Sequence, residues 1–187
     1  MPNLYIALLH FPMRDRAGNV VATAITSIDV PDIARTARTY GVMRFYVVTP
    51  LESQRRIAAR LREFWLAEET ANRREALEPV AIQEDLEDCY AEISRLEGQA
   101  PAVWGTSARA GLPYPQLSWE EARRLLRARP TLILFGTGHG MAEELLAACD
   151  ALLPPVRAGA GYNHLSVRAA AAIILDRLKG EDHDGDG

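Results

Sequence analysis

Residues 131–136, TLILFG, form a nearly unbroken apolar run, and residues 3–11, NLYIALLHF, form another. A strand with one wet face alternates apolar and polar side chains. A run that does not alternate needs cover on both sides. Such strands belong to parallel sheets, whose crossover helices supply that cover. The segments between and around the two runs read as those helices and as further strands.

The first run ends at Pro12 and is followed by a polar loop, 13–19, with a turn-prone Gly18-Asn19 pair. Residues 20–28 are β-branched and threonine-rich, which fits a strand and a ligand loop equally. Residues 29–40 predict a helix. Pro31 suits its first turn, and Asp29 and Asp32 sit at the positive end of its dipole. Ile33, Ala34, Ala37 and Tyr40 share one face, Arg35 and Arg38 lie on the exposed side, and Gly41 suits the C-terminal cap. RFYVVT (44–49) is the next strand, closed by Pro50.

Residues 52–76 have a helical pattern with an Ile57, Leu61, Phe64 and Trp65 stripe, and a second helix is expected near 83–96. Together they suggest a helical insert over about 52–97. Residues 101–104 form a short strand candidate, followed by the loop Gly105 to Arg109. Ser118 and Glu121 have the spacing of a capping box for a helix that Pro130 ends. After the 131–136 strand come a glycine-rich turn, 137–140, and a short helix over 141–149. The last helix is expected near 165–178, with Leu165, Ala169, Ala172 and Ile173 or Leu175 available for packing. The expected fold is α/β, a mostly parallel sheet flanked by helices, in one domain over 1–180. Four acids in the last seven residues suggest a disordered acidic tail over 181–187.

Composition narrows the function classes. With 187 residues, 48% hydrophobic and 25% charged, the chain can bury one ordinary core and is not broadly disordered. Only Cys89 and Cys149 are present, which excludes a disulfide framework and disfavours a cysteine-ligated zinc. No run approaches the roughly 18 apolar residues of a membrane span, and no basic segment precedes the first apolar stretch as in a signal peptide. A cytoplasmic protein without membrane partner is expected. The net charge of −4 hides an asymmetry: residues 1–74 carry 11 arginines against 7 acids, and residues 75–187 carry 10 basic groups against 18 acids. All but one of the 21 basic residues are arginine, the better bidentate partner for phosphate.

The strand–turn–helix around GTGHG (136–140) lets main chain approach a ligand closely. It is not a dinucleotide fingerprint, because Met141 stands where the third glycine belongs and no suitably placed acid follows. No GxxxxGK phosphate loop occurs either. A second polar cluster, GAGYNHLS (159–166), opens the last helix. His10, His139 and His164 lack zinc-ligand spacing, so no metal is expected.

Taken together, VATAITSIDVPDIARTARTYGV, RFYVVTP, LFGTGHGM and YNHLSVRAAAAIILDRL resemble the bacterial SPOUT class of S-adenosylmethionine-dependent RNA methyltransferases. The resemblance covers nearly the whole chain apart from the acidic tail. It implies a C-terminal trefoil knot, a homodimer with the final helix at the interface, RNA (tRNA or rRNA) as partner, and S-adenosylmethionine as cofactor. The acceptor would be a base nitrogen or a ribose 2′-hydroxyl. The resemblance places the cofactor among Trp104, Thr106, Ser107, Phe135, Gly136, Thr137, Gly138, Met141, Leu153, Tyr162, Asn163, Leu165 and Ser166. Asn163 and His164 would face the methyl or its acceptor, and Arg14 and His10 complete the candidate catalytic set. His10, Arg14, Asp15 and Asp29 all lie in the N-terminal region, and no spacing selects a base among them. Arg14, Arg16, Arg35 and Arg38 are expected to hold RNA phosphates. A non-catalytic RNA-binding or ribosome-associated module with the same fold is the alternative.

Overall fold

A computed structural model gives the fold of residues 3–67, 71–157, 159 and 161–180. In chain order the elements are β1 (Leu4–Leu9), β2 (Met13–Arg14), β3 (Val20–Val21), α1 (Asp29–Thr39), β4 (Arg44–Val48), α2 (Glu52–Leu66), α3 (Ala71–Leu77) and β5 (Val80–Gln83). They continue with α4 (Leu86–Glu97), β6 (Ala102–Gly105), α5 (Trp119–Leu126), β7 (Thr131–Gly136), α6 (Glu143–Ala147), β8 (Ala151–Leu152) and α7 (Val167–Lys179). Six strands form one sheet in the order β5-β4-β1-β7-β6-β8, with every pair parallel. β2 and β3 form a small antiparallel ribbon beside it. The tail expected at 181–187 lies outside the described residues.

The two apolar runs occupy the centre, with β1 and β7 paired from Leu4↔Thr131 to Leu9↔Gly136. All six residues of β1 are buried. Leu4, Ile6 and Leu8 face one layer, shared with Ile33 of α1, Ala58 of α2, Ala122 of α5 and Ile174 of α7. Tyr5, Ala7 and Leu9 face the other, with Cys89 and Ile93 of α4 and Leu146 of α6. This two-sided cover explains the missing alternation.

Local chemistry sets the helix ends. Asp85 caps α4 by accepting from the Asp88 N–H, and Gly98 closes it at φ +70°. Ser118 and Glu121 form the expected capping box on α5. Ser166 caps α7.

Residues 52–97 are not purely helical. β5 lies between α2/α3 and α4 and pairs with β4 from Phe45↔Val80 to Val48↔Gln83, so this segment builds the edge of the sheet. Four residues beside Pro79 are too few to impose a period on the sequence. Half of the expected α2 stripe faces inward: Leu61 and Trp65 pack against the core beside buried Ala58, whereas Ile57 and Phe64 are exposed. On α7 the buried face is Ala171, Ile174, Leu175 and Leu178, with i, i+3, i+4, i+7 spacing. Ala169, Ala172 and Ile173 remain partly exposed.

The chain runs from β1 outward to β4 and β5, then returns to the opposite side through β6, β7 and β8. The reversal lies between β1 and β7. In open α/β sheets ligands bind at the carboxyl ends of strands beside such a reversal.

Candidate functional site

The segments leaving the carboxyl ends of β1, β6 and β7, together with the start of α7, enclose a cavity of about 670 Å³. That falls within the usual range for small-molecule sites, about 300–1,000 Å³.

The turn after β7 forms one wall. Gly138 has φ +61°, and a Cβ there would lie 3.1 Å from Thr23 Cγ2. The turn is tied to the segment after β1. The Thr137 hydroxyl donates to the Leu9 carbonyl at 2.9 Å. The Thr23 and Thr137 hydroxyls lie 2.5 Å apart, and the Thr23 hydroxyl also reaches the His10 carbonyl at 3.4 Å. In the loop after β6, the Thr106 hydroxyl donates to the Leu134 carbonyl at 2.8 Å. The segment before α7 is joined to that loop by the Asn163 amide, which donates to the Ala108 carbonyl at 2.6 Å.

Of the expected cofactor residues, Thr106, Ser107, Phe135, Gly136, Thr137, Gly138, Met141, Asn163, Leu165 and Ser166 line the cavity. Three do not. Trp104 and Leu153 are buried in the core, and Tyr162 stands 70% exposed with its ring edge-to-face against His164. Of the candidate catalytic groups, Asn163 and His164 line the cavity. Arg14 does not line it, and its guanidinium pairs with Glu143. His10 lies in the interior, and neither ring nitrogen has a hydrogen-bond partner among the described residues. Burial lowers its pKa and so favours the neutral ring.

Thr23, Ala24, Thr26, Pro154, Val156, Ala170 and Ile174, which the sequence did not single out, also line the cavity, as does Asp29, one of the four N-terminal candidates for the base. Asp29 is the most consequential: among the described residues it is the cavity's one carboxylate. It accepts from the Thr26 hydroxyl at 2.6 Å and pairs with Arg168 of α7 at 3.4 Å. Asp29 had two readings in the sequence, helix start or acidic site group, and its position lets it serve as both.

The four arginines expected to meet RNA come from two places. Arg14 and Arg16 belong to the β2–β3 ribbon and its turn, and Arg35 and Arg38 to α1. Arg38 pairs with Glu75, whereas Arg16 and Arg35 are exposed. Among the described residues no three His, Cys, Asp or Glu side chains gather as a metal site. No helix there is long and apolar enough to cross a membrane.

The cavity has the size and mixed lining of a small-molecule site. Phe135, Met141, Pro154, Val156 and Ile174 give an apolar wall, and Thr106, Ser107 and Ser166 add hydroxyls.

A family model described as SAM-dependent RNA methyltransferase matches residues 3–180. A tRNA (guanine-N(1)-)-methyltransferase of Nitratidesulfovibrio vulgaris is 47% identical over 184 residues, 96% of this chain and 42% of that protein. The chain spans about two fifths of the length of the curated methyltransferases of that name that it matches. The crystal structure of TrmJ from Z. mobilis ZM4 superposes with a TM-score of 0.61 at 14% identity, covering 100% of this chain and 72% of that one. The SpoU methyltransferase AviRb from Streptomyces viridochromogenes, solved with AdoMet, has a TM-score of 0.59 at 15% identity, covering 98% and 59%. At these identities the structural likeness is one of fold.

Proposed function

The chain belongs to the SAM-dependent RNA methyltransferase family, and from that membership we propose that it transfers a methyl group from S-adenosylmethionine to RNA, either tRNA or rRNA. The observation that carries the reading is the convergence on one cavity of the loops after β6 and β7 and the segment before α7. The apolar wall with Thr106, Ser107 and Ser166 would hold the cofactor, which supplies an electrophilic methyl on a sulfonium.

This chain's contribution is position and proton management. The nucleophile has to lie in line with the methyl–sulfur bond, and a fixed cavity supplies that alignment. A base nitrogen or ribose hydroxyl loses a proton on methylation. Asp29 is the carboxylate placed to accept it, and Arg168 and Thr26 fix its orientation. His164, also on the cavity wall, is the alternative acceptor.

The working unit we propose is a homodimer of cytoplasmic, single-domain chains, each with its knot in the C-terminal part. In support, Ala169, Ala172 and Ile173 leave a small-residue face on α7 partly uncovered, and the chain returns from β8 at the sheet edge to pack α7 against α1.

The deciding experiment incubates the protein with methyl-labelled S-adenosylmethionine and total tRNA or rRNA, then identifies the modified nucleoside. Label in 1-methylguanosine or a 2′-O-methylnucleoside supports the reading and names the acceptor. Retention of RNA without label transfer favours a non-catalytic RNA-binding module.

A further inference from the structure

Glu143, in the first turn of α6, joins three segments that are far apart in sequence. Its Oε1 accepts from Arg14 Nη1 at 2.8 Å and from Arg109 Nη1 at 2.6 Å. Its Oε2 accepts from the Tyr114 hydroxyl at 3.0 Å. Arg14 comes from β2, Arg109 from the loop after β6, and Tyr114 from the irregular chain before α5. The Arg14 main chain is fixed as well, its N–H donating to the Gly140 carbonyl at 2.9 Å.

Two guanidinium charges on one carboxylate leave a net positive charge. The two arginine side chains keep 31% and 41% exposure, so that charge faces water. Arg109 also lines the cavity, which places the cluster at its edge. A guanidinium carries five N–H donors, and each of these gives Glu143 only donors from Nη1. Both bonds go to the same oxygen, Oε1, which sets the two guanidinium groups side by side with their other donors unused by Glu143. A phosphodiester, with two unbridged oxygens and one charge, matches two adjacent forks.

We propose that Glu143 is a positioning residue that holds Arg14 and Arg109 together as a clamp for one RNA phosphodiester at the edge of the cavity. This rests on reading the cavity as an RNA methyltransferase site. The acid itself repels phosphate, so its role is revealed by the sign of its removal. Were Glu143 only diluting the positive charge, Glu143→Gln would tighten RNA binding. As a positioning group, its replacement by a neutral amide removes the charge that strengthens both guanidinium bonds, so the two arginines are held less firmly and binding loosens.

The test is binding of unfractionated tRNA over about 50 to 200 mM salt, for the wild type, Glu143→Gln, Arg14→Ala, Arg109→Ala and the combined variants. S-adenosylmethionine calorimetry runs in parallel. Glu143→Gln should weaken tRNA binding several-fold and flatten the log–log salt slope by at least roughly 0.7, the value of one single-strand phosphate contact. Adding Glu143→Gln to the double arginine variant should then change nothing further. Unchanged or tighter tRNA binding by Glu143→Gln overturns the proposal. So does an Arg109→Ala variant that loses cofactor affinity but keeps tRNA affinity, since Arg109 would then be a cofactor anchor. If Glu143→Gln lowers the thermal midpoint, Arg109→Ala in its exposed loop carries the same slope test. A wild type that binds tRNA but not S-adenosylmethionine sinks the proposed activity while leaving the clamp open to this measurement.

Discussion

The Asn163 side-chain amide donates to the Ala108 carbonyl at 2.6 Å, tying the segment before α7 to the loop after β6 across one side of the cavity. Removing a single partly exposed hydrogen bond of this kind costs about 0.5–1.5 kcal/mol. Asn163→Ala should therefore weaken S-adenosylmethionine binding by about two- to tenfold. Calorimetry reads the affinity and a labelled-methyl assay reads kcat. A fall in kcat with affinity intact would instead give the Asn163 amide a part in the transfer step.

Asp29→Asn keeps the size of the side chain and removes its capacity to take a proton. Methyl transfer at saturating substrate should fall by about 100-fold or more, with S-adenosylmethionine affinity largely retained. A variant with near wild-type kcat would move the proton acceptor elsewhere, and His164→Ala becomes the next measurement.

Gly138 adopts a left-handed conformation, and a side chain there would also press on Thr23. Gly138→Ala should destabilise the fold by about 1–2 kcal/mol and shift the turn that forms one cavity wall. The expected readouts are a lower thermal midpoint and weaker cofactor binding together. Unchanged cofactor affinity would show that the turn does not meet the ligand.

His10 is buried and its folded-state pKa is lowered, chiefly by desolvation. The unfolded chain then binds a proton more readily than the folded one. The neutral ring is accommodated fully above the unfolded pKa of about 6.5, and stability falls as pH drops below it, by at most about 1.4 kcal/mol per pH unit. Denaturant unfolding between about pH 7.5 and 5 should show this slope in the wild type. His10→Phe should flatten it, and identical slopes would mean that other groups dominate.

The central sheet was legible because β1 and β7 carry no wet face, and the caps at Ser118 and Ser166 follow directly from residue type. The short strands were not. β5 and β8, of four and two residues, are held in the sheet by neighbours that local sequence does not reveal. On α2 and α7 the expected stripes were only partly right: Leu61, Trp65 and Leu175 turn to the core, and packing against the sheet adds Ala58 and Ala171. Within the site, the glycine turn and the Asn163 segment were legible as polar or flexible sequence beside helix starts. Asp29 could be read both as a helix-dipole acid and as one of four candidate bases, and only the placement of α1 beside the cavity separates it from Asp15 and His10. Trp104 and Leu153 adjoin the loops that line the cavity, but strand pleat and packing turn them into the core.

The pairing of Leu4 with Thr131 has a consequence for how the chain is made. A ribosome completes β1 well before its central neighbour, with about 120 residues between the two strands, a delay on the order of ten seconds at typical elongation rates. During that interval β1 can zip to β4 on one side only. Its other edge, six apolar residues long, waits as an open template for unwanted pairing. Native closure is a long-range event of the slow kind, so the nascent chain is a natural client for chaperones. The ligand chamber, which needs β7 and α7, can take shape only after α7 has emerged.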